Sequence, residues 1–148
     1  MFNNFSKHWK NLENKGIITN EEFINATFTQ HYRTVNEFRK PFDDPNSEVS
    51  KSGLILRSCK TMFTDCPFKV HYNNNKSSMT SREYAETLIP TMRSWSETVF
   101  KTALEKRKPE EINKIVDQFY NSYLEEVANK PDGHAMDYIH IVMDIEKT

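Results

Sequence analysis

The stretch between Met79 and Leu104 is the part of this sequence whose residue types best suit the binding of an organic molecule. Apolar residues recur there at steps of three to four, which places them on one face of an α-helix. The stripe consists of Tyr84, Leu88, Met92, Trp95, Val99, Ala103 and Leu104. Met and aromatic side chains build shaped apolar walls around flat ligands. The same pattern is typical of a plain hydrophobic core, and the sequence leaves both interpretations open.

Residues capable of metal, redox or nucleophilic chemistry are present, but their spacing matches no known motif. His134 and His140 lack the spacing of metal ligands on a helix. Cys59 and Cys66 lie seven residues apart, which fits neither a zinc motif nor a redox pair. No Gly-x-Ser-x-Gly or Walker sequence occurs, so hydrolase and nucleotide-phosphate chemistry have little support. We therefore expect reduced thiols and no metal site.

The charge balance argues against partners of strongly opposite charge. The 148 residues include 20 basic and 21 acidic side chains, for a net charge of −1. A nucleic-acid or membrane-surface binder would concentrate its basic residues. The longest basic run, Lys106-Arg107-Lys108, falls where a helix ends and where the helix dipole favours cations. No signal-peptide h-region or run of membrane length occurs, so we expect a cytoplasmic protein that binds neither nucleic acid nor membranes.

The elements that must position these residues form a helix-rich α+β chain. Capping boxes at Thr19, Thr34 and Thr80 predict three helix starts. Pro109 predicts a further helix, because proline suits the first position of a helix. The helix that begins after Thr34 is expected to stop before Pro41, since the residue preceding a proline disfavours helical dihedrals.

Two segments predict β-strands, at residues 54–63 and 136–147, and residues 68–72 predict a further short extended piece. In the terminal segment, alternation places four residues on one face: Ile139, Ile141, Met143 and Ile145. In the first segment, Leu54, Leu56 and Met62 are expected on one face, with Ile55, Cys59 and Phe63 on the other. Two strands make a marginal sheet in water. The sheet therefore reads as incomplete.

Several segments, taken in order, carry a family likeness. They are Trp9–Ile18, Glu21-Glu22-Phe23, Phe28–Phe38, Gly53–Leu56, Tyr84–Phe100 with its Met92-Arg93-Ser94-Trp95, Ile115–Tyr123 and Tyr138–Lys147. Their order and spacing resemble the C-terminal portion of the SABATH family of S-adenosylmethionine-dependent carboxyl methyltransferases. That family shows Glu-Gly-Leu-Ile, Phe-Asn-Ile-Pro-x-Tyr, Gly-Ser-Phe-x-Ile and Met-Arg-Ala-Val in the corresponding places. The resemblance covers nearly the whole chain.

The resemblance implies that this chain is an α+β fragment of the α/β class I methyltransferase fold. Residues 1–148 would form a single domain. Residues 1–53 would be the helical cap over the active site. Residues 54–148 would be a strand-helix-helix-strand segment that supplies the C-terminal antiparallel strand pair of a seven-stranded sheet.

The resemblance also implies a substrate pocket for a small-molecule carboxylic acid, lined by Tyr32, Met92, Trp95 and Tyr138. Gln30 stands where the family has proline, and Trp95 stands where it has valine. The family's cofactor is S-adenosyl-L-methionine. This sequence lacks the glycine-bearing loop after a strand and the acidic residue ending a second strand that would hold it. We therefore expect no catalytic residue and no cofactor binding in this chain alone.

Two functional hypotheses follow. The first is the substrate-pocket half of a small-molecule carboxyl O-methyltransferase, in which catalysis depends on orientation and on the exclusion of water. A methyltransferase that acts on nitrogen or on another oxygen is an alternative within this class. The second is a non-catalytic helical binding or interaction module, either a compact monomer or a specific homodimer with its apolar strand face covered.

Overall fold

The computed structural model of this chain describes residues 1–29 and 31–148 and has an α+β architecture. Within these residues there are seven helices and two antiparallel strands. In chain order they are α1 (Phe2–Asn14), α2 (Asn20–Asn25), α3 (Val35–Asp43), α4 (Glu48–Lys51), β1 (Leu54–Thr64), α5 (Pro67–Asn74), α6 (Ser81–Ala103), α7 (Pro109–Asn129) and β2 (Tyr138–Lys147). Gln30, which stands where the SABATH family has proline, lies outside the described residues.

The chain divides into two compact units. Unit 1 comprises Met1–Phe28 and Cys66–Met136, and it contains α1, α2, α5, α6 and α7. Unit 2 comprises Thr29–Asp65 and Asp137–Thr148, and it contains α3, α4 and both strands. No helix of the described chain is both long enough and apolar enough to cross a membrane.

Local sequence accounts for where most helices begin and end. Thr19, Thr34 and Thr80 each accept a hydrogen bond from the backbone N–H three residues later, and the glutamate at that position bonds back. The three capping boxes are therefore confirmed. Pro109 occupies the first turn of α7, as expected. Gly16 ends α1 with a φ of 66°, a left-handed conformation in which a side chain would be strained.

The prediction that α3 stops before Pro41 was wrong. The helix continues through Pro41 to Asp43. Proline in the last turn of a helix removes only one backbone donor. The hydroxyl groups of Ser47 and Ser50 both donate to the carbonyl of Pro41, so side chains from the following turn stabilise this end of the helix.

The prediction of an extended piece at residues 68–72 was also wrong, because this segment belongs to helix α5. Pro67 takes a first-turn position in that helix. Tyr72 is buried, and its ring stacks on that of Tyr84 with centroids 4.9 Å apart. A segment of five residues is too short for the spacing of its apolar residues to distinguish a strand from a helix, so packing against Tyr84 decides in favour of the helix.

Unit 1 has a closed aromatic core between α1, α6 and α7. The ring of Phe119 is fully buried, with its centroid 4.3 Å from Phe100 and 5.4 Å from Trp9. The hydroxyl groups of Tyr120 and Ser96 are 2.7 Å apart, so these two buried polar groups are paired with each other. Burial of side chains of this size supplies the main favourable free energy of folding.

An ion pair joins α2 to the start of α7 within unit 1. Nε and Nη2 of Arg107 lie 2.5 Å and 2.7 Å from the two carboxylate oxygens of Glu22, and Nη2 also donates to the carbonyl of Ile17. The hydrogen bonds from Arg107 lower the pKa of Glu22 from 4.5 to about 2. This bidentate geometry is the strongest form of arginine–carboxylate pairing.

Unit 2 is built on an antiparallel pairing of β1 with β2. Leu54 lies opposite Lys147 and Thr64 lies opposite Tyr138. The register shifts between Leu56 and Ser58, where Arg57 is the extra residue of a β-bulge. A bulge moves every later side chain of its strand to the other face.

The bulge defines two sheet faces. Face A carries Leu54, Leu56, Cys59, Thr61 and Phe63 of β1, with Ile139, Ile141, Met143, Ile145 and Lys147 of β2. Face B carries Ile55, Arg57, Ser58, Lys60, Met62 and Thr64 of β1, with Tyr138, His140, Val142, Asp144 and Glu146 of β2. Arg57 Nη2 lies 2.5 Å from Glu146 Oε2, as expected for two residues of face B. The expected grouping of β2 is confirmed.

The expected faces of β1 were wrong beyond the bulge. Cys59 and Phe63 join Leu54 and Leu56 on face A, while Met62 points to face B. This change makes face A the strongly apolar face of the sheet. Within the described residues, α3 and α4 are the helices of unit 2 that pack against β1.

Face A is nevertheless only partly covered. Phe63 is 73% exposed, Ile139 is 66% exposed and Ile145 is 41% exposed, whereas Ile141 and Met143 are half-buried. Large apolar side chains at such exposure are unusual when they are contiguous. Face A of this two-stranded sheet therefore remains open to solvent over part of its surface.

Candidate functional site

The four residues expected to line a substrate pocket fall into different units. Met92 and Trp95 belong to unit 1, and Tyr32 and Tyr138 belong to unit 2. Each unit therefore contains two of the four residues.

In unit 1, Trp95 presents one side to solvent and Met92 does not. Trp95 is 37% exposed, and its ring lies 6.3 Å from Phe2, 5.9 Å from Phe5 and 6.2 Å from Phe28. Met92, one turn earlier in α6, is fully buried. The stripe on α6 is thus mainly core, and Trp95 is where it reaches the surface.

A small cavity lies among the aromatic residues of unit 1. It has a volume of about 60 Å³ and is bounded mainly by Phe5, Trp9, Phe28 and Phe100. Pockets for organic ligands have volumes of roughly 300–1,000 Å³. The cavity has room for a few water molecules at most, so this region of unit 1 is a packed aromatic cluster.

In unit 2, an open cleft lies beside the start of β2. It has a volume of about 540 Å³, which is within the range for small organic ligands. This cleft, here called the unit 2 cleft, is lined by six residues: His31, Tyr32, Arg33, Phe38, Ile139 and Ile141. The first three precede α3, Phe38 lies in α3, and the two isoleucines lie on face A of β2.

The unit 2 cleft combines cationic and hydrogen-bonding groups with an apolar floor. Arg33 is exposed and forms no ion pair with another described residue. Tyr32 is 72% exposed at the rim. Phe38 and Ile141 are half-buried and present hydrocarbon surface. A guanidinium group binds a carboxylate through two parallel hydrogen bonds, so this arrangement suits a small organic acid.

The capping box of α3 places the carboxylate of Glu37 beside the cleft. The backbone N–H and hydroxyl of Thr34 donate to Oε2 of Glu37 at 2.6 Å and 2.9 Å. These hydrogen bonds, the backbone one foremost, lower the pKa of Glu37, which therefore stays ionised. Its second oxygen lies 3.6 Å from Nε2 of His31. The imidazole of His31 thus has an acidic neighbour, whereas Arg33 forms no ion pair with another described residue.

Tyr138 lies on the opposite face of β2 from the cleft. Its side chain is on face B, is 46% exposed, and stacks on His140 with ring centroids 5.9 Å apart. Ile139 and Ile141 occupy face A. Of the four expected pocket residues, Tyr32 is the one that the structure places in the unit 2 cleft.

Sequence reasoning missed Arg33 and Phe38 as candidate site residues. Both flank the Thr34 capping box, and that box orients the segment before α3 relative to its first turn. A cation directly after Tyr32 was the available signal in the sequence. Single arginines are too common on protein surfaces for that signal to stand out without the cleft.

A polar cluster in unit 1 was also missed. Nε2 of His8 lies 2.8 Å from Oε2 of Glu126, Nδ1 of His8 lies 3.1 Å from the hydroxyl of Ser122, and Lys7 lies 2.7 Å from Glu126. Burial lowers the pKa of His8 and of His134, so both rings are neutral near pH 7.

These residues have the order of a serine–histidine–acid relay but not its geometry. Nε2 of His8 makes no well-aligned hydrogen bond despite its closeness to Glu126. Ser122 lies within α7, where backbone N–H groups bond to the preceding turn and leave none to bind an oxyanion. Lys7 bonds to both oxygens of Glu126. The cluster therefore joins α1 to α7 and does not form a catalytic centre.

The glycines of the described residues do not form the turn on which an S-adenosyl-L-methionine site is built. Such a site needs a glycine-rich turn that leaves a strand and opens a helix. Gly16 follows α1, Gly53 lies between α4 and β1, and Gly133 follows α7. None of these positions makes a strand-to-helix turn. The described residues also contain no group of three or more His, Cys, Asp or Glu that could hold a metal ion.

Comparisons with known proteins do not assign this chain to a family. The function is therefore inferred from the unit 2 cleft and from the segments that resemble the methyltransferases. No protein-family model matches the chain, and no curated protein matches its sequence.

Proposed function

We propose that this chain is the substrate-binding portion of an S-adenosylmethionine-dependent methyltransferase that acts on the carboxyl group of a small organic acid. We further propose that the chain is not catalytic on its own. The observation that carries the proposal is the unit 2 cleft, where the guanidinium of Arg33 lies beside an apolar floor and forms no ion pair with another described residue. The class of reaction comes from the resemblance of the chain's segments to the SABATH family.

The cleft residues would bind and orient the acid. Arg33 would hold the carboxylate, and Phe38 and Ile141 would cover the hydrocarbon part. A carboxylate is already ionised near neutral pH and needs no general base to accept a methyl group. The contribution of this chain would therefore be orientation and the exclusion of water.

The first experiment measures acid binding to the isolated chain by isothermal titration calorimetry. The probes are aromatic and aliphatic monocarboxylates, each paired with its neutral methyl ester. We expect the acids to bind and Arg33→Gln to weaken binding about tenfold or more, because a charge-assisted hydrogen bond contributes roughly 1.5–3 kcal/mol. Arg39→Gln is the matched control, since Arg39 lies on α3 in a surface pair with Asp43 and does not line the cleft.

Two outcomes would contradict this part of the proposal. One is a chain that binds none of the acids. The other is equal binding by the Arg33→Gln and Arg39→Gln variants, since the guanidinium of the cleft would then have no specific role.

The second experiment tests the lack of independent catalysis. Titration with S-adenosyl-L-methionine should give no detectable heat, and incubation with cofactor and acid should give no methyl ester. Micromolar affinity for the cofactor would refute the statement that the chain is inactive alone, and it would require a cofactor site that the glycine positions do not suggest.

The second candidate function is a non-catalytic interaction module. The exposed apolar residues Phe63 and Ile139 favour this reading, because large exposed apolar residues mark association surfaces. Methyl-resolved NMR separates the two functions. If adding the acid changes the chemical shifts of the Ile139 and Ile141 methyl groups alone, the result supports the binding cleft. If these chemical shifts do not change and the chain self-associates, the result supports the interaction module.

A further inference from the structure

The side chain of Glu37 contacts the segment that carries the guanidinium of the unit 2 cleft. Its Oε2 atom accepts one hydrogen bond from the backbone N–H of Thr34 at 2.6 Å and another from the Thr34 hydroxyl at 2.9 Å. Its Oε1 atom lies 3.6 Å from Nε2 of His31. Arg33 stands between these two residues in the sequence and lines the cleft. Glu37 therefore contacts the chain on both sides of Arg33.

The same turn also includes Phe38, whose side chain forms part of the apolar floor. The backbone N–H of Phe38 donates to the carbonyl of Thr34 at 3.1 Å, and the backbone N–H of Glu37 donates to the Thr34 hydroxyl at 3.3 Å. Thr34 is thus bonded through its N–H, its hydroxyl and its carbonyl. These bonds fix the backbone between Arg33 and Phe38, two of the residues that line the cleft.

A fixed backbone matters for Arg33 because its side chain has no ion pair to hold it. Arg33 is exposed and pairs with no acidic side chain among the described residues. A long side chain loses conformational freedom when it binds a ligand, and this loss weakens binding. The loss is smaller when the backbone beneath the side chain is already ordered. The hydrogen bonds between Thr34 and Glu37 provide that order.

The charge of Glu37 alone has the opposite effect on the binding of an acid. Hydrogen bonds from Thr34, the backbone one foremost, lower the pKa of Glu37, so its carboxylate is ionised near neutral pH. A negative charge beside the cleft repels a carboxylate. The Glu37 side chain is 47% exposed, so solvent and salt screen this repulsion. We therefore expect the ordering of Arg33 to outweigh the repulsion.

We infer that Glu37 is a positioning residue of the unit 2 cleft, which accepts hydrogen bonds from Thr34 and thereby orders Arg33 for the carboxylate of the ligand. This inference rests on the proposed function, because it concerns the same cleft and the same acid. The property that matters is the hydrogen-bond acceptor and not the negative charge. His31 contributes less, since 3.6 Å is longer than a hydrogen bond.

Two substitutions of Glu37 separate the acceptor from the charge. Glutamine at this position keeps a capping box but carries no charge, whereas alanine removes both. By isothermal titration calorimetry, Glu37→Ala should bind a monocarboxylate about threefold to tenfold more weakly than the wild type, because Arg33 must then be ordered during binding. Loss of the negative charge alone would strengthen binding. Glu37→Gln should bind the acid at least as tightly as the wild type.

Glu83→Ala is the matched control in unit 1. Oε2 of Glu83 accepts hydrogen bonds from the backbone N–H and the hydroxyl of Thr80 at 2.7 Å and 2.8 Å, nearly the same distances as in the box of Glu37. The control therefore removes one negative charge and one capping box from α6, away from the cleft residues. It should leave the affinity for the acid within about twofold.

Backbone NMR relaxation tests the ordering of Arg33 without any ligand. The heteronuclear NOE of the Arg33 amide reports motion on the picosecond-to-nanosecond timescale. It should fall in Glu37→Ala and remain at the wild-type value in Glu37→Gln and Glu83→Ala. Unchanged amide chemical shifts in β1 and β2 establish that unit 2 stays folded in each variant.

The outcomes separate this inference from the proposed function. If the wild type binds the acid and Glu37→Ala binds it equally or more tightly, the inference is wrong and the proposed function stands. Equal losses of affinity in Glu37→Gln and Glu37→Ala, or an unchanged Arg33 NOE in Glu37→Ala, also overturn the inference alone. A wild-type chain that binds no acid overturns the proposed function, and the positioning role of Glu37 is then lost with it.

Discussion

The two units of this chain use the same kinds of apolar residue in opposite ways. In unit 1, Phe119 and Trp9 are at most 2% exposed, within a core formed by three helices. In unit 2, Phe63 and Ile139 are 73% and 66% exposed on face A. The difference in burial is the main physical contrast in the molecule.

The contrast follows from what each type of element needs to bury its apolar side. Helices with one apolar stripe cover each other when three of them meet, as α1, α6 and α7 do in unit 1. A two-stranded sheet has two faces and two edges, and short helices on one side cannot cover all of them. Unit 1 therefore has a closed core, while unit 2 retains surface and edge for a ligand or partner.

The largest expected effect comes from a substitution that creates a new cavity in the core of unit 1. Phe119→Ala should lower the free energy of unfolding by about 3–5 kcal/mol, because the ring is fully buried among other aromatic side chains. Phe63→Ala is the matched change in unit 2 and should cost less than about 1 kcal/mol. Urea unfolding followed by circular dichroism measures both. Equal losses for the two variants would remove the contrast between the units.

The next effect concerns the ion pair of unit 1. Glu22 has a pKa of about 2, below its ordinary value of 4.5. Between these values the unfolded chain takes up a proton that the folded chain does not, so the pair stabilises unit 1 above pH 4.5 and this contribution is lost as the pH falls toward 2. Glu22→Gln should lower stability at pH 7 by about 1–2 kcal/mol and flatten the acid limb of the stability curve.

Glu21→Gln is the control for that change. Glu21 pairs with Lys106, and both side chains are more than half exposed. Solvent screens a surface pair of this kind, so Glu21→Gln should change stability much less than Glu22→Gln does. Parallel stability curves for Glu22→Gln and wild type between pH 5 and pH 2 would show that Arg107 does not hold Glu22 as the structure indicates.

The smallest effect comes from removing helix caps. One of the two removed caps lies in each unit, so the two substitutions test whether each unit loses stability separately. Thr80→Ala should lower the stability of unit 1 by about 1 kcal/mol, because the first turn of α6 loses its side-chain acceptor. Thr34→Ala removes the same type of cap from α3 in unit 2. Trp9 and Trp95 both lie in unit 1, so tryptophan fluorescence in urea should detect the first variant and not the second. A fluorescence shift of equal size for Thr34→Ala would contradict the separation.

The sequence predicted those parts of the fold that depend on local signals. The capping boxes at Thr19, Thr34 and Thr80 act within one turn, and the structure contains all three. Both strands were also predicted, because their composition and alternation are clear. The bulge at Arg57 was not, since a bulge depends on which strand lies opposite. That single residue decides the face of Phe63.

The candidate site was less accessible to sequence reasoning. The stripe that contains Met92 and Trp95 could be core or pocket, and the fully buried Met92 places it mainly in the core. Periodicity identifies the apolar side of a helix but not what covers it. Arg33 became a candidate only when the fold placed it beside Phe38 and Ile141. Side chains that are distant in sequence line such a cleft, so no local sequence pattern predicts that they lie together.

Residue-resolved hydrogen exchange tests the contrast between the units most directly. It is measured on dilute chain, where any dimer dissociates. Amides of α6 and α7 should exchange only through global unfolding, whereas amides of β2 should exchange through local opening at a lower free energy. Equal protection of β2 and α7 in the monomer would contradict the account, because the open sheet of unit 2 would then be as stable as the closed core of unit 1.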